Sequence, residues 1–150
     1  MRLGSLVLDR ASDRGPVPDP YCDVILPGVI SVRVVAETAS FLAFHHPSPS
    51  FRAVQIMVIP KLHIESVASL ARESDETLGE LMRLIANLAA DVSEAQGSAR
   101  VLTNVGALQH SRHLHWHVVS DPERQHPPAE PVDMADEEWR RYWSEQRWLR

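Results

Sequence analysis

Short apolar runs alternate with polar breaks along most of the chain, and one long stretch carries helical spacing instead. Residues 32–36 and 40–45 are rich in β-branched and aromatic side chains, and the short turn 37–39 between them predicts a hairpin. Pro47-Ser48-Pro49-Ser50 breaks the pattern, after which 54–59 form a near-continuous apolar run closed by Pro60, which predicts a central strand. Ser74 can cap the free N–H groups of a helix, and Asp75 and Glu76 suit the positive end of its dipole. Leu78, Leu81, Met82, Ile85, Leu88, Ala89 and Val92 then recur at helical spacing up to a stop at Gly97, so this helix is expected to cover a sheet. Strands are also predicted at 100–103 and 113–119, with a loop from Asn104 to His110 beside the second.

The flanks read differently. Residues 1–21 form an irregular arm with Pro16, Pro18 and Pro20, 22–121 form the folded domain, and 122–150 combine a stiff Pro-rich linker with a final helix. That helix, over 135–148, places Trp139, Tyr142 and Trp143 along one side, a spacing that suits packing onto the domain or a partner subunit.

The strand at 113–119 carries the chemistry. His113, His115 and His117 alternate with Leu114, Trp116 and Val118, and a strand turns successive side chains to opposite faces, so the imidazoles share one face. Neighbouring imidazoles would stand roughly 6.5 to 7 Å apart at Cα, close enough to act on one phosphate-sized group or one metal ion. The same pattern also suits a zinc site or a satisfied polar face.

Composition narrows the classes. A chain of 150 residues fits one domain and can bury a core without staples. Its net charge of −5 argues against a general nucleic-acid binder, so any phosphate chemistry is local. A single cysteine, Cys22, excludes an intrachain disulfide and suits a reducing compartment, and no run approaches the roughly 18 apolar residues of a membrane span. A cytoplasmic protein without membrane partner is expected.

The run His113-Leu-His115-Trp-His117-Val-Val resembles the signature of the histidine triad (HIT) family of nucleotide hydrolases and transferases. Phe41-Leu-Ala-Phe44, Val58-Ile-Pro-Lys-Leu-His63-Ile and Thr103-Asn104-Val-Gly106 look like the family's other landmarks in their usual order. The resemblance covers roughly residues 22 to 121 and is nearest the phosphoramidase-like branch. It implies an α+β fold: an antiparallel sheet of about five strands with one long helix and a short one, here followed by the helical tail, paired as a homodimer. It also implies attack on a nucleoside phosphate at the α-phosphorus, with His115 as the nucleophile and no cofactor. Neutral imidazole is a competent nucleophile near its ordinary pKa of about 6.5, and a covalent intermediate divides one hard displacement into two easier ones. His113 and His117 would bind phosphoryl oxygens or pass protons, and Asn104 with Gly106, Gln109 and His110 of the following loop would line the phosphate site.

Departures from the family pattern bear on the substrate. Gln55 stands where a fourth histidine is usual, and His46 stands where an acidic residue commonly holds the ribose hydroxyls. His110 takes the place of a serine that helps the leaving group. His63 is expected to give structural support beside the triad. The paired cysteines that some members use to bind zinc near the N-terminus reduce to Cys22, so no structural zinc is expected there. Three readings follow: a hydrolase or nucleotidyl transferase cleaving a phosphoramidate or phosphoanhydride, a divergent enzyme acting on another phosphorylated metabolite, or a noncatalytic nucleotide-binding scaffold.

Overall fold

The computed structural model describes residues 19–49, 51, 53–121 and 141. Five strands, β1 (Val34–Glu37), β2 (Phe41–His45), β3 (Val54–Pro60), β4 (Arg100–Thr103) and β5 (Trp116–Ser120), form one antiparallel sheet in the order β1-β2-β3-β5-β4. The long helix α1 (Asp75–Gln96) links β3 to β4. The predicted linker and final helix lie outside the described residues apart from Arg141, which is helical.

Both ends of α1 follow the local chemistry. Ser74 Oγ accepts from the Thr77 N–H at 3.2 Å, and Gly97 ends the helix at φ +83°, a conformation that a Cβ disfavours. The helix turns Leu81, Leu84, Ile85, Leu88 and Val92 onto Phe41, Ala43, Ile56, Val58 and Val118 of the sheet. Met82, expected on that face, is 54% exposed, and Leu84 takes the inward position.

Alternation along β2 and β3 sends the intervening residues to the other face. There Leu42, Phe44, Met57 and Ile59 form a second cluster, covered by Tyr21, Ile25, Leu26 and Val32. Segment Tyr21–Ile25, at the junction of the expected arm (1–21) and domain (22–121), is a turn of π-helix. Its start is held by Asp19, whose Oδ1 accepts from the N–H groups of Tyr21 (2.9 Å) and Cys22 (3.2 Å).

One strand begins later than its pattern predicts. His113 to His115 precede β5, because the Leu114 N–H bonds to the Ile64 carbonyl at 2.6 Å, outside the sheet ladder. The alternation of faces still holds: Leu114 and Val118 join the cluster under α1, while His117 lies opposite Met57 on the other face.

Candidate active site

The three triad histidines divide into two groups. His115 is buried, and its Nδ1 donates to the His113 carbonyl at 2.7 Å, which leaves the lone pair on Nε2. The His117 ring stands edge-on to it at a centroid distance of 5.4 Å. Gln55 is diagonal to His117 across the β3–β5 ladder, and its Nε2 lies 3.2 Å from His117 Nδ1. A side-chain amide N–H donating there makes Nδ1 the acceptor and puts the ring hydrogen on Nε2. His46 is fixed by a less ambiguous donor, the Ser48 backbone N–H, which bonds to its Nδ1 at 3.0 Å. Its ring hydrogen is therefore also on Nε2.

These rings stay neutral near pH 7. His117 is held down to about 4, first by burial and then by the neighbouring imidazoles of His115, His46 and His110. Burial likewise depresses His115, although its bond to the His113 carbonyl opposes the shift. His46 is lowered by burial and by His115. A neutral imidazole with its Nε2 lone pair beside an N–H donor results.

His113 is placed otherwise. It is fully buried, with Nε2 3.0 Å from the Pro60 carbonyl and Nδ1 2.5 Å from Asp19 Oδ2. Both ring nitrogens have protein partners, and the His113 carbonyl in turn accepts from His115 Nδ1. His63 joins it, with Nδ1 2.7 Å from the same Asp19 oxygen and its ring edge-on to His113 at 5.2 Å. Support by His63 therefore runs through Asp19.

The loop residues contribute unequally. Asn104 follows β4 directly and is half-buried, and Gly106 opens a 3-10 turn (Gly106–Leu108) at φ +65°. Gln109 spends its amide on the Glu65 and Ser111 carbonyls (2.9 and 3.3 Å), which ties the loop to the segment after β3. His110 is exposed, and its charge is felt at both His115 and His117.

A family model described as "Scavenger mRNA decapping enzyme C-term binding" matches residues 21–127. The chain belongs to the histidine triad family. Within it, the chain is 28% identical over 94 residues to "Protein HitA" of Neisseria gonorrhoeae, covering 62% of this chain and 87% of that protein. A histidine triad protein from Clostridium difficile is 26% identical with a TM-score of 0.55, over 73% of this chain and 94% of that one. A HIT protein from Bacillus subtilis shares the fold at a TM-score of 0.61 and 23% identity, over 85% and 94% of the two chains.

Two residues of this HIT chain escape a reading of its motifs. Asp19 sits among prolines in the expected irregular arm, yet it reaches both His63 and His113, and hydrogen bonds from His113, Cys22 and His63 outweigh its burial to hold the carboxyl well below the usual range. Tyr21 lies over the triad, with its ring 5.2 Å from that of His113 and 5.4 Å from that of His115, and burial raises its hydroxyl. The only signal in the sequence is the spacing of Asp19 and Cys22, three residues apart.

The expectation of no zinc counted thiols alone. Single ligand atoms of Asp19, Cys22, His63 and His113 lie within 4.8 Å of one another, and carboxylate, thiolate and two imidazoles are all zinc donors. Nε2 of His113 is on a backbone carbonyl while Nδ1 faces the cluster, the usual posture of a ligating histidine. The donor set fits the metal.

Proposed function

We propose that this protein is a nucleotide hydrolase or nucleotidyl transferase in which His115 Nε2 attacks the α-phosphorus of a phosphoramidate or phosphoanhydride. The bond from phosphorus to the leaving group breaks as the P–N bond forms, and the leaving group departs with the electron pair and takes a proton from water. Water or another acceptor then attacks phosphorus, loses its proton to solvent, and returns the electron pair to Nε2. His117 Nε2–H donates to a phosphoryl oxygen throughout, in a half-buried site where such a bond counts for more than in bulk water. Asn104 and the backbone around Gly106 would add donors. Zinc, where bound, would be held by Asp19, Cys22, His63 and His113 and would fix the His113 ring away from the substrate.

The observation that carries this reading is the bond from His115 Nδ1 to the His113 carbonyl, which fixes the tautomer with its lone pair on Nε2. Mass spectrometry of the intact protein after incubation with adenosine phosphoramidate, an aminoacyl-adenylate and a dinucleoside polyphosphate is expected to show a nucleotidyl adduct. His115→Ala is expected to lose both the adduct and turnover, by about 10⁴-fold or more. Unchanged turnover in that variant overturns the assignment.

His46 favours a second reading, in which the ligand is not ribosyl. A single Nε2–H donor meets an acceptor oxygen, whereas a carboxylate at that place would accept from two hydroxyls. Comparable turnover of ribo and 2′-deoxy substrates supports this reading; a tenfold preference for ribose, about 1.4 kcal/mol, opposes it.

The homodimer belongs to the same proposal. The sheet ends at β4, and Val101, Val105 and Leu108 are exposed there.

A further inference from the structure

Three separated pieces of chain meet at one oxygen. Asp19 comes from just before the π-helical turn and Cys22 from within it, His63 from the segment after β3, and His113 from the approach to β5. Asp19 Oδ2 contacts both imidazole Nδ1 atoms, at 2.7 and 2.5 Å, and Cys22 Sγ lies 3.5 Å from His113 Nδ1. Tetrahedral zinc with bonds near 2.0 to 2.3 Å keeps its ligand atoms roughly 3.3 to 3.8 Å apart. The cluster is thus a zinc-sized set drawn inward onto the carboxylate, and opening it takes shifts on the order of 1 Å.

His113 shows why the carboxylate matters. Its two nitrogens face two acceptor oxygens, Pro60 O and Asp19 Oδ2, and these two contacts hold the ring in one orientation. A metal ion at Nδ1 satisfies the same ring orientation with Nε2–H still on Pro60. The ring is therefore posed identically for either occupant. A second thiolate in place of Asp19 would bind zinc more tightly but would hold two imidazoles poorly without it, since sulfur is a weak hydrogen-bond acceptor. A carboxylate does both.

We propose that Asp19 makes this a metal-optional latch: its Oδ2 holds His63 and His113 when the site is empty, and a zinc-class divalent ion takes both imidazoles from it on binding. In either state the π-helical turn stays docked, Tyr21 stays over the triad, and the His113 carbonyl stays on His115 Nδ1. Zinc occupancy is then reversible and the fold does not depend on it.

The test reads metal and stability, not turnover. Full-length protein stripped with EDTA is titrated with zinc against a chromogenic chelator, metal content is measured by elemental mass spectrometry, and melting is followed with and without EDTA. The wild type is expected to bind one zinc per chain and to lose no more than about 3 °C in Tm on stripping. Asp19→Cys is expected to bind zinc about tenfold or more tightly and to lose about 8 °C or more when stripped. Asp19→Ala and the exposed-site variant His63→Ala are each expected to weaken zinc by about tenfold or more, and they decide the matter if Asp19→Cys does not fold. No stoichiometric zinc at about 100 μM removes the site. Zinc whose removal unfolds the wild type removes the latch.

Discussion

At the scale of residues, the triad is a set of tautomers chosen by neighbours, and His117 is where pH should reveal it. Its folded value of about 4 lies below the ordinary 6.5, so between those values the unfolded chain takes up a proton that the native site resists. Stability from this group is therefore present above about pH 6.5 and falls as pH drops towards 4. The rings of His115, His46 and His110 face it and deepen the effect, while hydrogen bonds hold Asp19 well below the carboxylate range and lower Glu80 from its ordinary value, so neither carboxylate reverses the trend. Urea midpoints from pH 7 to about 4.5 should decline, and His117→Asn should flatten the decline. An identical slope in the variant would show that the site does not resist protonation. The sequence made the candidate His115 legible, because it lies in a local motif with strict alternation. It hid the partner of the His113 ring, Asp19, 94 residues away in a stretch whose prolines read as an irregular arm.

At the scale of elements, helix α1 was readable because its signals are local: a capping serine, an acidic first turn, a repeating apolar face and a terminal glycine. The cap and the stop can be weighed separately. Ser74→Ala removes the acceptor for the Thr77 N–H and should cost about 1 kcal/mol. Gly97→Ala forces a Cβ into φ +83° and should cost about 1 to 2 kcal/mol. The helix has 22 residues, so the two sites stand roughly 33 Å apart and share no partner. Their double variant should add, within about 0.5 kcal/mol, in urea denaturation. A shortfall would mean that the first change already frays the helix to the second. Strand β5 was less readable at its start, since a two-residue period persists through His113 to His115 even though the backbone there pairs with Ile64 rather than with a strand.

At the scale of the whole molecule, the sheet is covered on both faces, by α1 and by the π-helical turn, and what it leaves open is its edges. A free edge strand offers unpaired N–H and C=O groups to any second chain, and proteins blunt such edges with charge, brevity or a partner. Strand β4 is only four residues long and begins with Arg100, but its Val101 is 38% exposed, and Val105 and Leu108 just beyond it are exposed at 47% and 72%. Apolar side chains of this size beside an edge and a long helix are the material of a two-fold contact, which needs roughly 1,200 Å² or more of total burial to be stable. Light scattering should therefore give twice the chain mass at micromolar concentration. A Val101→Glu, Leu108→Glu double variant should give the single-chain mass while keeping the melting transition cooperative, because neither side chain belongs to the two core clusters. If the wild type scatters as one chain at every concentration, these residues face solvent and the homodimer is abandoned. If both proteins scatter as dimers, the contact lies on another face of the sheet or helix. Loss of adduct formation at His115 in the monomeric variant would further place part of the substrate site across the two-fold axis.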